Sequence, residues 1–113
     1  MKVKRGYLYL VDLSPRFGTE PGKKRPAVVI QSDLLNDVGH PSTWVIPCTT
    51  QLTESNILRV RLPAGSAGNE KECDVMIDQS RAIDNRRFDR VLDRVPSLLF
   101  KEILEKICLV GEL

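Results

Sequence analysis

The sequence is poor in the residues that most often build metal centres and disulfide frameworks. Its 113 residues include three cysteines and one histidine. The cysteines are far apart along the chain, so Cys48, Cys73 and Cys108 predict neither a disulfide framework nor a metal site. We expect each to be a small buried side chain, and we expect no metal and no cofactor. With His40 as the single histidine, acid–base schemes that need two histidines in one chain are excluded.

Long apolar segments are also missing. No run approaches the roughly 20 apolar residues of a membrane-spanning helix. The basic residues 1–5 are not followed by the apolar segment of a secretory signal. Hydrophobic residues make up 42% and charged residues 28% of the chain, which is typical of a globular protein. We therefore expect one domain over residues 1–113, in the cytoplasm, with reduced thiols and no membrane association.

Charge and aromatic content restrict the ligands that such a domain could bind. Aromatic residues are 5% of the chain, too few to favour a surface that stacks many bases. The net charge is only +2, but residues 1–31 carry seven basic and two acidic side chains. This concentration of positive charge favours a small anionic site over unselective coating of nucleic acid.

The chain reads as a series of short strands followed by one helix. A helical turn is expected at 32–37, with Ser32 as its N-cap. Pro47 indicates a bulge or an edge position in the third strand. Apolar and β-branched segments between turn residues predict strands at 7–13, 25–31, 43–50, 56–62, 74–78, 81–83 and 91–95.

After Pro96 the hydrophobic period changes to that of a helix. Leu99, Ile103, Ile107 and Val110 fall on one helical face. Ser97 is the expected N-cap, Gly111 suits the C-terminal stop, and Glu102 and Lys106 are spaced for an ion pair. This order of elements predicts a mostly β fold, either a curled antiparallel sheet or a small barrel, with a helix packed on it.

The segment from Gly18 to Lys24 is glycine-rich and basic but is not a nucleotide-binding loop. Three residues separate its glycines and Lys24 follows Lys23, whereas a phosphate loop needs four residues and a Ser or Thr after its lysine.

Arg25 is the basic residue whose backbone is best fixed, because Pro26 follows it. Its guanidinium could hold two phosphate oxygens at once, or it could form an ion pair with Asp12 or Asp78. Thr49, at the end of the third predicted strand, could likewise donate its hydroxyl to a phosphate or be satisfied by the backbone.

Three blocks of the sequence resemble the MazF/PemK family of toxin endoribonucleases. The first block begins with residues 5–15. It continues with Gly18-x-Glu20 and ends with residues 22–30, which include Gly22 and Arg25-Pro26. The second is Thr49-x-Gln51, and the third is the DQSRAID string at 78–84.

The resemblance implies a fold, a reaction and partners. The fold would be an SH3-like small barrel of antiparallel strands, assembled as a homodimer. The chain would be the toxin of a type II toxin–antitoxin system, neutralised by a cognate antitoxin with an acidic disordered tail. It would cut single-stranded RNA without a metal, through attack by the 2′-OH, leaving 2′,3′-cyclic phosphate and 5′-OH ends.

The resemblance also assigns site residues. Arg25 and Thr49 match the catalytic positions. The PemK/Kid-like branch has a histidine where Thr19 stands here and an arginine where Met76 stands, so the role of Asp78 in proton transfer is left open. By resemblance, Phe17, Thr19 and Glu20 lie in the loop that covers RNA, and Asp78, Gln79 and Arg81 lie near the RNA groove or the dimer contact. Further RNA-binding candidates are Lys23, Lys24, Thr50 and Gln51.

Two other functions fit the same fold. A gyrase poison would need an aromatic- and glycine-rich C-terminal end, whereas this chain ends in LVGEL without a tryptophan nearby. A non-catalytic RNA-binding barrel would need aromatic stacking platforms, and Tyr7 and Tyr9 could equally belong to the core.

Overall fold

An antiparallel sheet of seven strands and a C-terminal helix make up most of the protein. The computed structural model describes all residues from 1 to 113. Its strands are β1 (Tyr7–Asp12), β2 (Lys24–Val29), β3 (Ser42–Thr49), β4 (Arg59–Leu62), β5 (Cys73–Met76), β6 (Arg81–Asp84) and β7 (Phe88–Arg94). Its helices are α1 (Asp33–Asn36) and α2 (Ser97–Gly111), and two short 3-10 turns span Ile77–Gln79 and Asn85–Arg87.

The strands follow the order β4-β5-β3-β2-β1-β7, and β6 pairs with β3 beside β5. The predicted class, mostly antiparallel β with a C-terminal helix, is confirmed. The prediction of a small barrel is supported only loosely, because no pairing joins β4 to β7 and the sheet stays open.

Pro47 lies in the interior of this sheet, not at an edge or a bulge as its sequence context suggests. It is registered opposite Ala27 of β2 without a shift. On its other side, β3 pairs with β6 over residues 42–45 and with β5 at residues 48–49. Pro47 therefore falls between two partner strands, where a missing N–H interrupts neither ladder.

The sheet buries side chains on both faces. Val28 belongs to a cluster of 13 buried residues that packs against α2, whereas Ala27 and Val29 belong to a second cluster of 8 on the opposite face. The continuous apolar run in β2 is thus explained by burial on both sides.

Helix α2 closes the larger cluster through Ile103, which is completely buried. Two predictions at its ends are wrong by one residue. Pro96 is the N-cap and Ser97 is already helical, and Glu112, not Gly111, adopts the left-handed conformation that ends the helix. No helix of this protein has the length and apolar character needed to cross a membrane.

Lys106 ties α2 to the segment before β4. Its Nζ lies 3.9 Å from Glu102, as expected for the predicted pair, and donates to the carbonyl oxygens of Asn56 and Arg59 at 2.9 and 2.8 Å.

The prediction of buried cysteines holds for two of the three. Cys48 and Cys73 are buried, whereas Cys108 is exposed on the outer side of α2.

Candidate active site

A cleft of about 650 Å³ lies where the β1–β2 loop faces the end of β3. Residues from β2, β4, β5 and the following 3-10 turn complete its wall. Its charged lining consists of two carboxylates, Glu20 and Asp78, and five cations, which are Arg16, Lys23, Lys24, Arg25 and Arg59. The cleft is therefore a positively charged groove suited to an anionic chain.

Arg25 lies within this cleft with its guanidinium fixed by two backbone carbonyls. Its Nε donates to the carbonyl oxygen of Gly22 at 2.8 Å, and its Nη1 donates to that of Cys48 at 3.1 Å. No ion pair joins it to Asp12 or Asp78. The Nη2 amino group has no partner in the protein, so Arg25 is held in place and still has donors for a ligand.

Burial is the main reason that the pKa of Arg25 is lowered from its ordinary value. Because an arginine starts from a pKa above about 12, the group stays charged at neutral pH. A partly desolvated cation interacts more strongly with an anion than a fully hydrated one.

Thr49 follows Cys48 directly and ends β3 at the wall of the cleft. Its Oγ1 accepts a hydrogen bond from the backbone N–H of Gln51 at 3.1 Å. A hydroxyl has one donor and two acceptor positions, so this contact fixes the oxygen and leaves its hydrogen free to donate. The hydroxyl of Thr49 therefore has a backbone partner, as one of the two sequence interpretations expects, and can still donate to a ligand.

Gly22 brings the two ends of the β1–β2 loop together. A Cβ at this position would lie 2.7 Å from the Cβ of Arg16, closer than side chains approach. The loop base is closed by the Leu13 N–H, which donates to the Lys23 carbonyl at 2.9 Å. This close approach sets the position of the Gly22 carbonyl that holds Arg25.

The floor of the cleft is made by two thiols. Cys48 and Cys73 are buried and lie on neighbouring strands. A hydrogen bond with Cys73, together with burial, raises the pKa of Cys48 well above its ordinary value. The same hydrogen bond lowers the pKa of Cys73.

Asp74 organises the other side of the cleft. It is completely buried and accepts hydrogen bonds from the Thr53 N–H at 3.0 Å, from Arg61 Nε at 2.7 Å and from Arg59 Nη1 at 3.4 Å. The two arginines also bind loop carbonyls, Arg59 that of Gln51 at 3.2 Å and Arg61 that of Thr53 at 2.5 Å. One buried carboxylate thus holds the start of the β3–β4 loop against β4 and β5.

Nowhere in the protein do three or more His, Cys, Asp or Glu side chains come together in an arrangement that could hold a metal ion.

Comparison of this sequence with known proteins identifies the family to which the chain belongs. Residues 4–111 match the family described as "PemK-like, MazF-like toxin of type II toxin-antitoxin system". The chain belongs to this toxin family. It is 34% identical over 108 residues to endoribonuclease EndoA of Bacillus subtilis, covering 88% of this chain and 92% of that protein.

Solved MazF structures share its fold. Crystalline MazF from Deinococcus radiodurans superposes with a TM-score of 0.85 at 24% identity, covering 100% of this chain and 99% of that one. MazF in a MazE–MazF crystal from the same organism gives a TM-score of 0.79 at 25% identity, covering 100% and 98%.

The structure brings together most of the residues that the resemblance to MazF/PemK toxins assigns. Phe17 is exposed and does not line the cleft, although its loop does. Arg81 is also outside, because β6 pairs with the start of β3 and the cleft lies at its end. Assigned residues that line it are Thr19, Glu20, Lys23, Lys24, Arg25, Thr49, Thr50, Gln51, Asp78 and Gln79.

Sequence reasoning missed Arg59 and Asp74. The alternation of 58–62 already places Arg59 and Arg61 on the polar face of a strand, which was the available signal. Nothing in the sequence showed that this face turns toward the loop after β3, because that depends on the β4–β5 and β3–β5 pairings.

Thr19 and Met76, the positions that differ from the PemK/Kid-like branch, both line the cleft.

Asp74 should make the protein sensitive to acid. Burial opposes its ionisation, but the hydrogen bonds from Arg61 and Thr53 outweigh it, and its pKa is lowered. At pH values between the folded and the unfolded pKa of Asp74, the unfolded chain binds more protons than the folded protein. The free energy of unfolding therefore falls as the pH drops from about 5 through the folded pKa. Asp74→Asn should lower the free energy of unfolding at pH 7 by about 1–3 kcal/mol and weaken its dependence on pH.

Urea unfolding of both proteins over a series of pH values measures the effect. Identical acid dependence in the two proteins would contradict this assignment to Asp74.

Proposed function

We propose that this chain is the toxin of a type II toxin–antitoxin system and acts as an endoribonuclease on single-stranded RNA in the cytoplasm. Membership of the MazF-like toxin family and the 34% identity to EndoA, named an endoribonuclease, support the class of activity. The positively charged cleft supports an anionic polymer as the substrate.

The arrangement of Arg25 and Thr49 carries the proposal. The Cys48 carbonyl that receives Arg25 Nη1 belongs to the residue directly before Thr49. A guanidinium with free donors and a hydroxyl with a free hydrogen therefore lie at the same point of the cleft wall. Both are held before the ligand arrives, which is what stabilising a transition state by fixed donors requires.

These groups suit a reaction in which the RNA supplies its own nucleophile. The 2′-oxygen attacks the adjacent phosphorus, forming the 2′,3′-cyclic phosphate, and the bond from phosphorus to the 5′-oxygen breaks. In the pentavalent intermediate, negative charge builds on the non-bridging oxygens. Arg25 and Thr49 donate to these oxygens, and the enzyme needs no metal for this step.

Two protons must also move. The leaving 5′-oxygen gains one, and Arg25, whose pKa is lowered, is our candidate donor. The 2′-OH loses one, and the acceptors that the cleft offers are its two carboxylates, Glu20 and Asp78.

Incubation of the purified protein with a mixed RNA pool in excess EDTA tests the reaction. We expect cleavage that leaves 2′,3′-cyclic phosphate and 5′-OH ends, identified by enzymatic end analysis. RNA bound without cleavage would contradict the proposal and favour the non-catalytic RNA-binding barrel.

Removal of Arg25 tests the site. Arg25→Ala should lower kcat by at least about 10²–10³-fold, because it removes charged donors from the intermediate. Its fold should change little, since Arg25 is only partly buried and belongs to neither hydrophobic cluster. Thr49→Ala should reduce kcat less, because a neutral donor is lost.

Thr50→Ala is the matched control, since Thr50 is the neighbouring cleft threonine. Near-wild-type turnover of Arg25→Ala would overturn the assignment, and an inactive Thr50→Ala beside an active Thr49→Ala would transfer the threonine role to Thr50.

We further propose that the protein is a homodimer and that its antitoxin inserts an acidic, disordered tail into the cleft. The five cations against two carboxylates favour such a tail, and the MazE–MazF crystal supports a MazE-type partner. Because tail and RNA would compete for the same cations, binding of one should exclude the other.

Isothermal titration of acidic antitoxin tails into the protein should show binding that weakens with added salt and is lost when RNA fills the cleft. A tail with Asp and Glu replaced by Asn and Gln is the control. Equal affinity of the acidic tail and the neutral control would contradict this part of the proposal.

A further inference from the structure

The cleft contains a second fixed guanidinium besides Arg25. Arg59 lies on β4 and lines the same cleft, with 22% of its side chain exposed. Like Arg25, it uses Nη1 to bind a backbone carbonyl, in this case that of Gln51, two residues after the end of β3, at 3.2 Å. Its Nε and Nη2 have no hydrogen-bond partner in the protein, so donors remain for a ligand.

The two guanidinium groups are close enough for one strand of nucleic acid. Arg25 is anchored at the Cys48 carbonyl and Arg59 at the Gln51 carbonyl. Three residues of extended chain span at most about 11 Å. This upper limit is comparable to the span of one or two nucleotides of a single strand.

The positive charge of Arg59 is only partly used within the protein. Asp74 is the one carboxylate shared by Arg59 and Arg61. Arg61 makes the short contact, from Nε to Oδ1 at 2.7 Å, whereas the contact of Arg59 is 3.4 Å long. Arg59, Arg61 and Asp74 together carry one excess positive charge. Arg59 lines the cleft and Arg61 does not, so this excess charge faces the cleft.

We propose that Arg59 binds a second phosphate of the RNA, next to the one held by Arg25. This inference rests on the proposed function and adds a subsite to it. The reacting phosphate is the one assigned above to Arg25 and Thr49, so the phosphate that Arg59 binds is one that does not react. Such a contact is equally strong before and during the reaction, so its loss raises KM and leaves kcat unchanged.

The test compares Arg59→Gln with Arg86→Gln. Both remove one arginine charge, but Arg86 is highly exposed, pairs with Asp84 and does not line the cleft. The probe is a short 2′-O-methyl RNA of randomised sequence, which lacks the nucleophile and cannot be cleaved by this route. Its Kd is measured by fluorescence anisotropy over a series of salt concentrations.

Arg59→Gln should weaken binding about tenfold. It should also reduce the slope of log Kd against log salt by about 0.7, the contribution of one phosphate contact to a single strand. On a long unmodified transcript it should raise KM at constant kcat. Arg86→Gln should bind and cleave like the wild type.

Arg59→Lys separates a phosphate contact from a structural role. Lysine keeps the charge but loses the planar fork, so this variant should retain the wild-type salt slope. The inference is overturned if the slope of Arg59→Gln equals that of Arg86→Gln, if Arg59→Lys has the reduced slope, or if kcat falls at constant KM. A wild-type protein that binds the probe with this Arg59 dependence but cleaves no transcript would instead refute the proposed function alone.

Discussion

The candidate site depends on how one half-buried cation is held. Arg25 gives two donors to the carbonyls of Gly22 and Cys48 and none to a carboxylate. An ion pair would neutralise the guanidinium, whereas carbonyl dipoles fix its plane and leave its charge. Both carbonyls belong to segments shaped by other constraints, namely the close approach at Gly22 and the pairing of β3 with β2 and β5.

The open sheet allows the cleft to form where it does. β3 pairs with β6 along its first half and with β5 at its end. This change of partner leaves the end of β3 beside the β1–β2 loop and β4. Asp74, opposite Thr49 in the register, then fixes the loop that follows β3 through Arg59 and Arg61. The same carboxylate therefore supports the fold and sets one wall of the cleft.

The local features that could be read from the sequence are those governed by neighbours along the chain. Ser32 caps α1 through the Leu34 N–H, and both faces of β2 are buried as its apolar run indicates. The interior position of Pro47 could not be read, because it requires knowing that two different strands share one side of β3. The helix ends were missed by one residue, since cap geometry follows backbone conformation rather than residue type alone.

For the site, the sequence by itself determined the residue types: a basic loop followed by Arg25-Pro26, a threonine at the end of an apolar strand, and blocks that resemble the MazF/PemK family. Only the tertiary structure decided which of these side chains meet. It placed Phe17 and Arg81 outside the cleft, brought in Arg59, and buried Asp74 between two arginines. The reason is physical, because side-chain chemistry is local whereas proximity across a sheet is set by strand order and register.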